Sequence, residues 1–216
     1  MNDIFDELEL AISGLQKMCH ERGELVTVTK GEQASAESFL VWRGYFQRNI
    51  PLEMATLCNK YDGLTVRITS PESQSEYDDG AYFRLRSLEE MVEWSRAKVE
   101  DFFALVREEP INRELFSCER ALELCSIADF KDDAELCLVD LSLSQDRCVI
   151  VDTDYEDEFF PSGLRVISDS LFEFVIRCIN TRASLSEGTG FRYYWPPPLE
   201  EILAREKANR DLPRRR

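Results

Sequence analysis

The single histidine, His20, is where any nucleophile–base chemistry would have to rest, because a Ser–His–Asp or Cys–His arrangement needs an imidazole. It sits between Cys19 and Glu21 at the end of an amphipathic segment, with no nucleophile motif around it, and reads as a surface residue. Histidine-based metal sites fail for the same reason. The seven cysteines (Cys19, Cys58, Cys118, Cys125, Cys137, Cys148 and Cys178) are odd in number and form no C-x-x-C pair. Most have apolar neighbours, as in Leu136-Cys137-Leu138, and read as small buried hydrophobes of a reducing compartment. A disulfide framework or a zinc site would need tighter, paired spacing. Gly188-Thr189-Gly190 is a lone G-x-G with no strand before it and no G-K-S/T after it, which makes a linker rather than a phosphate cradle.

Carboxylates are the remaining source of chemistry. The run from Asp152 to Glu158 places acids at the first, third and fifth positions of a calcium loop, but Asp157 stands where a glycine must make the sharp turn and Gly163 where the bidentate glutamate belongs. No metal and no cofactor is expected. Acid–base hydrolysis needs two specific carboxylates across a cleft. With 42 acidic residues in the chain, no pair stands out, and a carboxylate-based hydrolase is the weakest of three functional readings. Phe191-Arg-Tyr-Tyr-Trp195 followed by three prolines either covers the domain or is read by a partner as an extended peptide.

The bulk properties favour binding over catalysis. The chain has 216 residues, 44% hydrophobic and 11% aromatic, enough for one generous domain and a tail. Its net charge is −16 and its pI about 4.6. Such a surface repels phosphate backbones, so nucleic acid is a poor partner, whereas a basic protein is steered towards it. Simple solubility accounts for the total charge equally well. The start, Met1-Asn-Asp-Ile-Phe-Asp-Glu7, lacks the basic and apolar regions of a secretory signal. No stretch nears the roughly 18 apolar residues of a membrane span. The expected location is the cytoplasm, with no membrane partner.

The elements that would carry these residues follow from periodicity. Residues 3–22 predict an amphipathic helix with Asp3 as its cap, and Leu25–Val28 a strand fragment. Glu37–Phe46 predicts a short helix. Pro51 is expected at the first turn of the next helix, which Asp62-Gly63 should stop before a strand at Leu64–Ile68. After the polar loop 70–80, Tyr82–Arg86 predicts a strand whose Phe83 and Leu85 alternate against outward Arg84 and Arg86. Ser87 with Glu90 makes a capping box for a long helix that ends at Pro110. Strands are expected at Ala121–Ile127, Leu136–Leu141, Arg147–Asp152 and Leu164–Ile167, with a hairpin loop at Ser142–Asp146 and a last helix at Asp169–Asn180. The continuous apolar runs at 136–139 and 149–151 predict central strands covered on both faces. The organisation expected is a helix and loop over 1–36, a core domain over 37–182, and an extension over 183–216.

Several of these segments fall in a familiar order. The proline-started Ile50-Pro-Leu-Glu-Met-Ala-Thr-Leu-Cys-Asn-Lys-Tyr-Asp-Gly63, the Phe83-Arg-Leu-Arg-Ser-Leu-Glu-Glu-Met91 strand-to-helix step, the Ile127–Asp140 hairpin, Val149-Ile-Val-Asp152 and Val166–Phe174 together resemble the SUKH superfamily. That group contains the Smi/Knr fungal cell-wall regulators and many bacterial immunity proteins. The resemblance covers roughly residues 37–180; Lys131-Asp-Asp133 replaces the Gly-Asp pair often seen in the central turn. It implies an α+β fold, a mainly antiparallel twisted sheet with helices packed against it, and no catalysis. It further implies either an immunity protein that neutralises a basic, nuclease-type toxin by binding it, or a regulatory scaffold. The acidic residues expected to meet such a partner are Asp78, Asp79, Asp132, Asp133, Asp154, Glu156, Asp157 and Glu158.

Overall fold

The computed structural model describes residues 4–69, 81–108, 123–130, 136–153 and 165–182. Helix α1 (Ile4–Glu21) forms where Leu8, Ala11, Ile12, Leu15 and Cys19 recur at helical spacing, and all five are buried. Asp3 lies outside the described residues. A turn at Gly23, with φ of 72°, leads into β1 (Leu25–Lys30), two residues longer than its sequence suggests. Helix α2 (Ala36–Phe46) starts at Ser35, whose hydroxyl accepts the Ser38 N–H, and ends on Gln47 in the left-handed region.

Helix α3 (Leu52–Cys58) is shorter than expected, and Pro51 is its N-cap rather than its first helical residue. Tertiary hydrogen bonds end it early. The Asp62 N–H goes to the Glu32 carbonyl at 2.8 Å, and the Gly31 N–H goes to the Gly63 carbonyl at 2.9 Å. Residues 59–63 are therefore drawn against the segment after β1 instead of continuing the helix. The approach is so close that a Cβ on Gly31 would stand 2.0 Å from the Asp62 carbonyl oxygen, which only glycine tolerates. Gly63, at φ of 103°, then turns the chain into β2 (Leu64–Thr69).

Strand β3 (Tyr82–Leu85) leads to α4 (Leu88–Glu108) through the expected capping box: Glu90 N–H donates to Ser87 Oγ, and Ser87 N–H to Glu90 Oε2 at 2.9 Å. Asp62 Oδ1 also accepts the Leu88 N–H at 2.8 Å, so the loop that ends α3 caps α4. The rest is β4 (Leu124–Phe130), β5 (Leu136–Asp140), β6 (Ile150–Thr153), β7 (Arg165–Ser168) and α5 (Leu171–Asn180), the last capped by Ser170. Strand β4 runs three residues further than its apolar pattern, because Ala128, Asp129 and Phe130 pair with Leu85, Arg84 and Phe83 of β3. Strand β6 starts three residues late, since the Cys148 N–H is taken by Glu53 and the Val149 N–H by Ser144.

The protein has an α+β fold. Among the described residues, seven strands form one sheet in the order β1 to β7, every neighbouring pair antiparallel. Bulges interrupt β4 at Ser126–Ala128 and the β6–β7 pair at Ile150–Val151. Helix α1 packs on α5 and β1, α3 on α5, and α4 on α2 and β4. The Phe83 ring meets Phe174 of α5, whereas Arg84 pairs with Glu90 of α4. Successive strand residues point to opposite faces, so α5 and the start of α4 stand on opposite sides of β3. Cys137, Leu138, Val139, Ile150 and Val151 are all buried, so β5 and β6 are covered on both faces, as their apolar runs suggest. Among the described residues no helix is long and apolar enough to cross a membrane.

Candidate partner-binding surface

An antiparallel meander sorts its connections by parity. Arg67 stands opposite Tyr82, Phe83 opposite Phe130, Leu136 opposite Thr153, and Asp152 opposite Arg165. The chain ends flanking 70–80, 131–135 and 154–164 therefore lie at one end of the sheet. The start of β1 lies there too, since Leu25 faces Thr69. The other end carries the connections that hold α2, α3 and α4, and the 141–149 loop.

All eight acidic residues expected from the sequence to meet a partner belong to those three connections and lie outside the described residues: Asp78 and Asp79, Asp132 and Asp133, and Asp154, Glu156, Asp157 and Glu158. The aromatic–proline stretch 191–198 lies outside them as well. What the described strands add is topological: the three connections start and finish at one sheet end. Residues 70–80 contain four acids, 131–135 three and 154–164 four, against one basic residue, Lys131.

Behind this sheet lies a buried charge that alternation alone assigns to the surface. Arg86 follows β3 and is completely buried, contrary to the outward position expected beside Arg84. Its guanidinium donates to Ser126 Oγ at 2.9 Å, to the Ala128 carbonyl at 3.1 Å, and to Asp129. Burial, reinforced by repulsion from Arg84, lowers its pKa to about 10, which still leaves it charged at neutral pH. The β4 bulge explains the pocket, because the ladder is interrupted there and its polar groups are free to receive the guanidinium. Over Arg86, at 4.5 Å, lies the ring of Trp94, 46% exposed on α4.

At the opposite end, Glu53 ties three elements together. Its Oε2 accepts the N–H groups of Cys148 and Leu171, both at 2.9 Å, and its Oε1 accepts the Ser170 hydroxyl at 2.7 Å. The first turn of α3, the 141–149 loop and the start of α5 thus converge on one carboxylate. Arg147 stands near it and pairs with Glu173 and Asp169. Neither Glu53 nor Arg86 carries a sequence signal of its role. An acid in a first helical turn and an arginine after a strand are both ordinary surface residues by type.

The titratable groups with shifted values are structural in their surroundings. The six described cysteines are all buried. Burial pushes the Cys125 thiol up to about 12 and raises Cys58, Cys148 and Cys178, so none of these four is a thiolate nucleophile at neutral pH. Cys118 lies outside the described residues. Burial also raises the Asp62 carboxyl, against the Leu88 N–H bond that lowers it. His20 is exposed in the last turn of α1. Among the described residues, no group of three histidine, cysteine, aspartate or glutamate side chains is placed to hold a metal ion.

Compared with protein-family models and with curated proteins, the chain matches none.

Proposed function

We propose that this chain is a non-catalytic binding module of SUKH type, an immunity protein that neutralises a basic toxin by direct contact in the cytoplasm. The observation that supports this reading most is that the strand ends flanking three acidic connections, with eleven acids and one lysine between them, share one sheet end. The three segments anchored there carry eleven carboxylates, and like charge tethered to one sheet end costs stability. A basic partner offsets that cost, accelerates its own encounter through the field, and is selected against neutral competitors. The exposed His20 and the buried thiols of Cys19, Cys58, Cys125, Cys148 and Cys178, held protonated by burial, suit a binder better than a nucleophilic enzyme.

The test is capture at low salt from the source cell, followed by association kinetics. The bound protein is expected to be basic, and D154K/E156K/D157K/E158K should slow its association by about tenfold or more and flatten its salt dependence. A neutral or acidic partner, or an unchanged association rate, overturns the reading. A regulatory scaffold unrelated to toxins shares the same physics and differs in the identity of the captured protein.

A further inference from the structure

The sheet has two edges of unlike character. Strand β7 is four residues long, and its pairing with β6 carries a bulge, both of which blunt an edge. Strand β1 is six residues long, regularly paired with β2 throughout, and free of proline. Its one charge, Lys30, is held at 2.6 Å by Glu9. The Gly31 N–H bond to Gly63 sets the phase of the β1–β2 ladder. Leu25, Thr27 and Thr29 turn their backbone groups towards β2, and Val26, Val28 and Lys30 turn theirs outward. Among the described residues none pairs with these outward groups.

The chain itself is led to this edge. After α5, Arg182 adopts φ of 60° and pairs with Glu24, the residue immediately before β1. The 34 residues that follow thus depart from beside the first residue of the open strand. Residues 183–190 are a Gly/Ser-containing linker whose r.m.s. reach is about 16 Å, with about 27 Å at full stretch. Strand β1 spans about 20 Å, so an antiparallel return from its far end is within reach. Next come Phe191-Arg-Tyr-Tyr-Trp195, aromatic and strongly strand-forming, bounded by Gly190 and by three prolines that cannot continue a ladder. Their length matches the edge they would cover.

We propose that Phe191–Trp195 adds to the free edge of β1 as an additional strand, covering Val26, Val28 and Lys30 in the same molecule. This is independent of the partner reading and survives its failure. The experiment is residue-resolved amide hydrogen exchange on the full chain and on full-length Y193P, whose proline breaks the run without touching the described fold. The amides of Val26, Val28 and Lys30 should exchange at least tenfold faster in Y193P, while Thr27, Thr29 and the β5 amides stay unchanged and report an intact fold. Equal rates at the three positions in both chains overturn the proposal. If those equal rates are slow and quicken on dilution, the edge belongs to a second copy instead.

Discussion

Arg86 shows how far a residue's position can depart from its type. A lone buried guanidinium would be intolerable, but Ser126, Ala128 and Asp129 take up donors of both its terminal nitrogens, leaving only Nε without a partner, and Trp94 covers its face. Removing the side chain leaves these acceptors unpaired around a void, so R86A should cost about 3–5 kcal/mol in urea unfolding. D129N, whose site is partly open, should cost less. Glu9 makes a second residue-scale prediction, one that depends on pH. Hydrogen bonds from Lys30 and Tyr61 hold its carboxyl below the ordinary range, the Lys30 bond foremost. A depressed carboxylate contributes stability above its unfolded value and loses it as pH falls through its folded one. The E9Q variant should therefore melt about 1–3 °C below the parent above about pH 5, and the two curves should merge near pH 2–3. A gap that widens in acid would contradict the assignment.

At the scale of elements, boundaries set by local chemistry were legible, the α2 end at Phe46 and the α5 end at Asn180 among them, and those set by distant partners were not. The Ser87–Glu90 box and the apolar stripe of α1 are local, so periodicity and capping chemistry reveal them. The end of α3 is decided by residues 31 and 32, which no window around 50–62 contains. The same holds for the late start of β6, where Glu53, about a hundred residues upstream, takes the Cys148 N–H. Glu53 joins α3, the 141–149 loop and α5, so its loss is an element-scale event. The E53A variant strands two N–H groups and a hydroxyl and should cost roughly 2–4 kcal/mol, lowering the melting temperature by about 5–15 °C. E53Q keeps the shape but weakens the acceptors, and should fall between. Melting of both variants by circular dichroism checks the order.

At the scale of the whole molecule, charge and topology act together. The acids at 78–79, 132–133 and 154–158 look like three unrelated loops along the chain. The strict antiparallel meander anchors all three segments at one end of one sheet, because connections that follow even-numbered strands leave from the same end. The salt dependence expected of partner association is a property of that sum. Screening at 0.15 M shortens the field to about 8 Å, so under the proposed function the acidic connections would steer a basic partner from a distance only in dilute salt.

By itself the sequence determined most element centres, the burial of the six described cysteines, the exposure of His20, and the acidity of the connections. Each of these depends on local periodicity, residue type or composition, which a linear chain displays openly. The tertiary structure alone decided that Arg86 is buried rather than exposed, that Glu53 clasps three elements, that α3 stops at Cys58, and that the acidic connections share one sheet end. Each of those depends on partners distant in sequence, where the loop-closure cost of folding is recovered only once the whole sheet is assembled.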